Sequence, residues 1–388
     1  MRHKEQWAWV EEASASWGFL VRVIIKACVL FALCNLIFAL VYPMAWLGQW
    51  SLYGILYPAR DRLPYTDAPS VAIQAEANNL TLSNLPAMVA SHNVSQSSDD
   101  EFRVFVIGDS SVWGFLLTSE QTFTGQLNNA EIRYEQQDVV AYNLGYPTQS
   151  LLKDILILDA VMGYEPDMII WFVTLDSFAL GNQLETPLVQ ENPLAVERLT
   201  AEYNLTSVNL ADTRFVRATF WEQTLIGQRQ VLAELLHLQT FGVGWSATGI
   251  DHRIPDTFPS NQVDLSDSIS WAQFESPTTF ITTDLAFDIF EAGVRISGNT
   301  PLVVVNEPMF ISDGDNSDVR YNSLYPQWAY DAYRVLPDEQ ARDAKWQYID
   351  LWDAIAPSEF TDSPVHLTPS GTTQVVDILT PILFEIQE

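Results

Sequence analysis

From Phe102 onward, short apolar runs alternate with stretches of helical periodicity. Phe102–Ile107 (FRVFVI) has strand length and is rich in Val, Ile and Phe, as suits a strand buried in a parallel sheet. VVAYNLG at 139–145, MIIWFV at 168–173 and PLVVVNEP at 301–308 predict three further strands, and WQYIDL at 346–351 a fifth, weaker one. Between them, Ser150–Met162 carries Leu151, Ile155, Leu158 and Met162 on one helical face, and Thr368–Phe384 predicts a closing helix with Pro at its second position. Strands alternating with helices predict an α/β fold with a doubly wound parallel sheet. Residues 178–280 break the rhythm. They are acidic and aromatic, with clear helical periodicity only near Phe220–His237, and read as an insertion or lid over the carboxyl edge of the sheet.

The amino-terminal hydrophobicity is of another kind. Ala27–Leu47 (ACVLFALCNLIFALVYPMAWL) contains no charge. As a helix it would be about 31 Å long, enough to cross the hydrocarbon core of a bilayer. It therefore predicts a transmembrane anchor within an amino-terminal segment 1–50, with Trp46 and Trp50 in an aromatic belt. A cleaved signal peptide and a buried core helix are the competing readings. Arg2, Lys4, Arg22 and Lys26 precede the run, so the positive-inside rule favours a single pass at the cell membrane with the bulk of the chain extracytoplasmic. Residues 51–101, with Tyr57-Pro58, Leu63-Pro64, Ala68-Pro69 and the polar run SHNVSQSSDDE, read as a juxtamembrane spacer. The globular domain is then 102–388, with the insertion at 178–280.

Charge and cysteine usage narrow the chemistry. With 49 acidic against 19 basic residues the net charge is −30, which repels nucleic acid and provides no polybasic membrane patch. Cys28 and Cys34 both lie in the apolar amino-terminal run, which leaves 102–388 without a disulfide, a cysteine nucleophile or zinc-ligand spacing. No metal or cofactor is implied.

The candidate chemistry sits where the first strand breaks, at Gly108-Asp109-Ser110. Open α/β sheets place their ligand crevice at the carboxyl ends of the strands. A Ser there becomes a nucleophile when a His reaches it from elsewhere in the chain. Without such a partner the tripeptide is only a strand-to-helix turn with an N-cap. Five histidines are present: His3, His92, His237, His252 and His366. His366 lies in TDSPVHLTPSG, a loop that opens the last helix and emerges at the same sheet edge as Ser110. Asp362, four residues earlier, stands ready to orient the imidazole. Asn306 and Glu307 at the end of the fourth strand, and Arg320 in a following polar loop, are candidate substrate contacts, or simply loop structure.

These blocks resemble the SGNH (GDSL-type) hydrolase superfamily, over residues 102–388 and in the same order. Gly108-Asp109-Ser110 is similar to the block that carries the nucleophile, and Asn143-Leu144-Gly145 to the second block, whose Gly gives a backbone N–H to the oxyanion. Pro166-Asp167 and MIIWFV lead into the third block, and His366 falls in the last. The resemblance implies a flavodoxin-like SGNH fold, Ser110 as nucleophile, His366 as base, Asp362 as its orienting acid, and Ser110, Gly145 and the residue at 176 around the oxyanion. Two departures stand out. The family's Asn in the third block is replaced by Asp176, and its Asp three residues before the His is replaced by Ser363, with Asp362 one residue further away. Three states are open to Asp176: an ionised carboxylate opposing the oxyanion, a protonated acid donating to it, or a side chain turned away.

The expectation is a membrane-anchored SGNH-type serine esterase or O-acyltransferase acting on acyl esters of cell-envelope glycan or lipid. The alternative is an inactive SGNH-like module that binds carbohydrate or assists a membrane-bound O-acyltransferase. A flavodoxin-like phosphate binder ranks last, because the chain has no Gly-rich phosphate loop.

Overall fold

The computed structural model describes residues 17–385, apart from 58–61, 66–80, 97, 99, 135, 251–253, 255–256 and 343. His3 and His252 lie outside the described residues. The chain forms two compact units, one of residues 1–43 with 218–232, the other of 44–217 with 233–388.

In the first unit a single helix runs over Trp17–Val41. It is 25 residues long and its most apolar 18-residue stretch has a mean hydropathy of 2.5, enough to cross a membrane, and most of its side chains face outward. Asn35 is one of its two buried residues. Its amide donates to Phe31 O at 2.9 Å, and its side-chain oxygen accepts from the Ile226 amide at 3.1 Å. The helix does not follow the charge-free run Ala27–Leu47. It starts ten residues earlier, because Arg22 and Lys26 are good helix formers. It ends at Val41, because Pro43 cannot continue it and Tyr42 takes a positive φ of 43°. Trp46 and Trp50 therefore belong to the other unit.

The second unit is built on a six-stranded sheet. Its strands are β1 (Glu101–Ile107), β2 (Arg133–Tyr134), β3 (Gln137–Asn143), β4 (Met168–Val173), β5 (Leu302–Asn306) and β6 (Gln347–Asp350), in the spatial order β2-β3-β1-β4-β5-β6. All pairings are parallel except that of the short edge strand β2 with β3. The chain passes from β1 to β3 on one side and then to β4 on the other, so the topological switch point lies at the carboxyl end of β1. β4 is buried at every residue, which explains its unbroken apolar run. Phe102, Val104 and Val106 point to a core completed by Phe123 and Leu127 of one helix and by Val375, Val376 and Leu379 of the Pro369–Glu385 helix. On the opposite face Trp171 stacks on Phe290 of the Phe287–Ser297 helix at 5.2 Å. The doubly wound α/β sheet is thus as the periodicity predicts, with a small antiparallel edge added.

The expected spacer is partly folded domain. Leu82, Leu85, Met88 and Val94 are buried, and the Leu85–Ser91 helix is capped by Asn84. Trp113 Nε1 donates to Leu63 O at 2.9 Å, and Arg62 donates to the carbonyls of Gly114 and Leu117 at 2.7 and 2.6 Å. His92 Nε2 lies 2.9 Å from Asn143 O, buried behind β3. Apolar residues spaced among Pro and Ser supply too little periodicity to betray this packing in sequence.

The insertion is also more than a cover. Residues 187–203 form two short helices whose Leu188, Val189, Val196 and Leu199 are fully buried. Residues 261–274 are fastened to the loops at the carboxyl edge: Asn316 and Ser312 bond Leu265 O and Val263 O, and Trp328 donates to Ile269 O.

Candidate functional site

The chain leaves β1 through Gly108 and turns into a four-residue helix, Ser110–Trp113. Asp109 is its N-cap, accepting from the Ser111 amide at 2.8 Å. A side chain at Gly108 would place Cβ 2.6 Å from Val112 Cγ2 and 3.1 Å from Phe172 Cβ, so only Gly lets the turn close this tightly. Gly145, after β3, brings the second loop against the same helix, where a Cβ would lie 2.4 Å from the Trp113 amide nitrogen.

The loop before the last helix brings His366 to this turn. Its Nε2 lies 2.8 Å from Ser110 Oγ, and its Nδ1 lies 2.9 Å from Asp362 Oδ1. Burial works to raise the Asp362 carboxyl, but the hydrogen bond and charge of His366, its own backbone amide and the Thr361 hydroxyl together hold it below its ordinary value. The loop is tightly made. Thr361 N donates to His366 O at 2.8 Å, and His366 N donates to Ser363 O at 3.2 Å. Asn261 of the insertion donates its amide to both Thr361 O and Ser363 O at 3.1 Å, so it grips the carbonyls on either side of Asp362. The Phe115 ring lies 4.8 Å from the imidazole.

Three of the expected site residues thus converge: Ser110, His366 and Asp362. Of the other histidines described, His92 is buried behind β3, and His237 is exposed on a helix against Phe241.

The remaining expected residues are differently placed. The Gly145 N–H donates to Asn143 Oδ1 at 3.0 Å, so it is aimed at a side chain of its own loop rather than at an oxyanion. A short Asn two residues back competes well for such an amide. Asp176 Oδ1 accepts from Trp271 Nε1 at 2.8 Å. Burial, opposed by that bond, pushes its carboxyl up to about 6; Asp109 adds to the rise, and Arg320 opposes it. Asn306 and Arg320, expected as substrate contacts, serve the fold. Asn306 is fully buried and bonds Asp350, Tyr330 and Tyr333. Arg320 donates to the carbonyls of Asn322, Ser268, Ser323 and Leu324. Glu307 is buried beneath the nucleophile turn, where its carboxyl accepts from the Ser111 hydroxyl. Burial and then the nearby Asp109 charge push it well above its ordinary range.

One participant gave little sign of itself in the sequence. Lys153 is fully buried, and its ammonium donates to Gly108 O at 2.7 Å and Tyr146 O at 2.9 Å while pairing with Asp154 at 2.6 Å. It ties the turn before Ser110 to the loop after Gly145. Its signal was a lone Lys-Asp pair inside the apolar helix Leu151–Val161. Asn261 and Trp271 left none, since polar and aromatic residues in an irregular segment are common.

This arrangement can deliver a serine oxygen to an electrophilic centre, with a base in contact and an acid fixing that base. No protein-family profile and no curated protein sequence matches the chain. Solved structures that resemble it include a carbohydrate acetylesterase family member from Sinorhizobium meliloti, at 12% identity and TM-score 0.31 over 72% of this chain and 96% of that one. A gut microbial diltiazem-metabolizing enzyme aligns at 10% identity and TM-score 0.35, over 74% of this chain and 47% of its own. A candidate lipolytic protein of the G-D-S-L family from Desulfitobacterium hafniense aligns at 16% identity and TM-score 0.19, over 50% of this chain and 99% of its own.

Proposed function

We propose that this chain, whose α/β domain has an SGNH-hydrolase-like fold, is a membrane-anchored serine esterase or O-acyltransferase acting on acyl esters of cell-envelope glycan or lipid. One observation carries the reading: the continuous array Ser110–His366–Asp362 at the carboxyl end of β1, with contacts of 2.8 and 2.9 Å.

With its proton on Nδ1 shared with Asp362, His366 accepts the Ser110 hydroxyl proton at Nε2 as Oγ attacks the acyl carbonyl. The C–O bond to the leaving alcohol then breaks, and Nε2 returns the proton to that oxygen. Water or an acceptor hydroxyl attacks the acyl-serine, again giving its proton to His366, and collapse restores Ser110. Asp362, held ionised, stabilises the imidazolium through both half-reactions. The Ser110 backbone N–H is the amide offered to the developing oxyanion, since the Ser111 amide is held by the Asp109 side chain. The anchor helix would hold the domain on the extracytoplasmic side, as Arg22 and Lys26 near its start suggest.

The full chain treated with a fluorophosphonate probe should be labelled at Ser110 and should hydrolyse acetyl esters, with both signals lost in Ser110→Ala. Absence of labelling with no ester turnover would favour a second reading: a non-catalytic module that assists a membrane-bound O-acyltransferase. Asp176 supports that reading, because a carboxyl that accepts from Trp271 stands where the resembled family has an amide donor.

A further inference from the structure

We infer that the α/β domain carries its own bilayer-docking face, made by residues 44–57 and 235–250 and seated in the headgroup boundary of the membrane crossed by the Trp17–Val41 helix. The inference rests on the reading of that helix as an anchor.

The argument begins with charge. Across the chain 18% of residues are charged, so a stretch of sixteen on a solvated surface should carry about three charges. Leu235–Ile250 carries none, and neither does Tyr42–Tyr57. Both stretches are nonetheless outward-facing. The helix Arg229–His237 continues through a π-turn at 238–242 into Val243–Thr248, and from it Leu236 and Phe241 project with 60% and 55% of their surface exposed. The short helices Met44–Gln49 and Leu52–Leu56 expose Trp46, Trp50, Ile55 and Leu56.

The two stretches are one surface. Gln239 accepts from the Tyr53 amide at 3.0 Å and donates to Ser51 Oγ at 3.2 Å, so their polar groups satisfy each other inward while the apolar side chains point away. Below them Gly48 lies so close to the Leu85–Ser91 helix that a Cβ would meet Ala87 O at 2.5 Å, which fixes the layer to the folded domain. A contiguous apolar face of this kind marks an interaction surface.

Chain continuity selects lipid as the occupant. Met44 follows Val41 by three residues, which limits its separation from the end of the anchor helix to about 10 Å. Trp46 and Trp50 then fall at the depth where indole rings gather, in the headgroup layer. An uncharged face with Trp, Phe and Leu outward suits shallow burial at that boundary. An uncharged face also meets anionic lipid with less local repulsion than the acidic surface of a protein of net charge −30 would.

Spin-label accessibility on the full chain in phosphatidylethanolamine–phosphatidylglycerol nanodiscs tests this. In a Cys28→Ser/Cys34→Ser background, a nitroxide at Phe241→Cys should be about fivefold or more less accessible to a nickel chelate than one at the exposed Val335→Cys, and more accessible to oxygen. Leu236→Cys gives the same reading should Phe241→Cys fold poorly. A label on native Cys34, with Cys28→Ser, reports the anchor separately. If it lies in hydrocarbon while the Phe241 and Leu236 labels are as open to nickel as Val335, the docking face is refuted and the anchor stands. If the Cys34 label is itself in water, the anchor reading fails and the docking face with it. Shielding in native membranes but not in nanodiscs would assign the face to a protein partner and overturn the lipid assignment.

Discussion

Asp362 reaches Nδ1 of His366 at 2.9 Å across a four-residue separation. The separation is spanned by a closed turn, in which His366 N bonds Ser363 O and Thr361 N bonds His366 O. Replacing Ser110 or His366 by Ala should lower acetyl-ester turnover by about 10³-fold or more, and the double change should add little. Asp362→Asn should cost about 10²–10⁴-fold, because the amide favours the wrong imidazole tautomer. Near-normal turnover in His366→Ala would remove the proposed base.

Asn261 contacts no reacting group, yet it holds the carbonyls on both sides of Asp362. Asn261→Ala should reduce kcat by about tenfold with little change in KM, as expected when a catalytic group is misplaced slightly. Hydrogen exchange across residues 361–366 should quicken in parallel. An unchanged exchange rate with normal kcat would show that the loop holds itself.

Asp176 gives a pH dependence with a defined sign. Its carboxyl is raised from 3.8 to about 6, chiefly by burial, so the folded state binds its proton more tightly than the unfolded state does. The corresponding stability is complete below pH 4 and is lost as pH rises through 6. Asp176→Asn removes that loss and keeps an oxygen for Trp271. It should raise stability by about 1–2 kcal/mol at pH 8 and by little at pH 4, less than the full shift implies because the side chain is partly exposed. Urea titrations at the two pH values decide this, and an equal effect at both would place the cause elsewhere. Turnover that rises at pH 8 in the same variant would mark Asp176 as facing the oxyanion.

Lys153→Met should destabilise the domain by about 3–5 kcal/mol, because it strands the Asp154 carboxylate and leaves Gly108 O and Tyr146 O without their ammonium donor. The double change Lys153→Met/Asp154→Leu should recover part of that loss, since no buried charge is then left alone. Chemical unfolding of the four species of this cycle measures the coupling, and strict additivity would contradict a working pair.

Features governed by local chemistry were legible along the chain. Apolar runs at 102–107, 168–173 and 302–306 identified buried parallel strands, because little alternation is needed where both sheet faces are covered. Gly108-Asp109-Ser110 and the His366 loop were legible because a nucleophile turn and a base loop need particular residue types in a short span. Pro43 ends the apolar helix at Val41, ahead of the end of the apolar run. Tertiary structure alone decided the rest. Ser110 and His366 are 256 positions apart, and no periodicity encodes which histidine crosses that distance. The burial of Lys153, the grip of Asn261, the inward turn of Asn306 and Arg320, and the diversion of the Gly145 amide to Asn143 all depend on partners brought together by packing. A polar side chain carries the same local signal whether it faces substrate, solvent or a buried carbonyl; only the neighbours that the fold supplies distinguish the three.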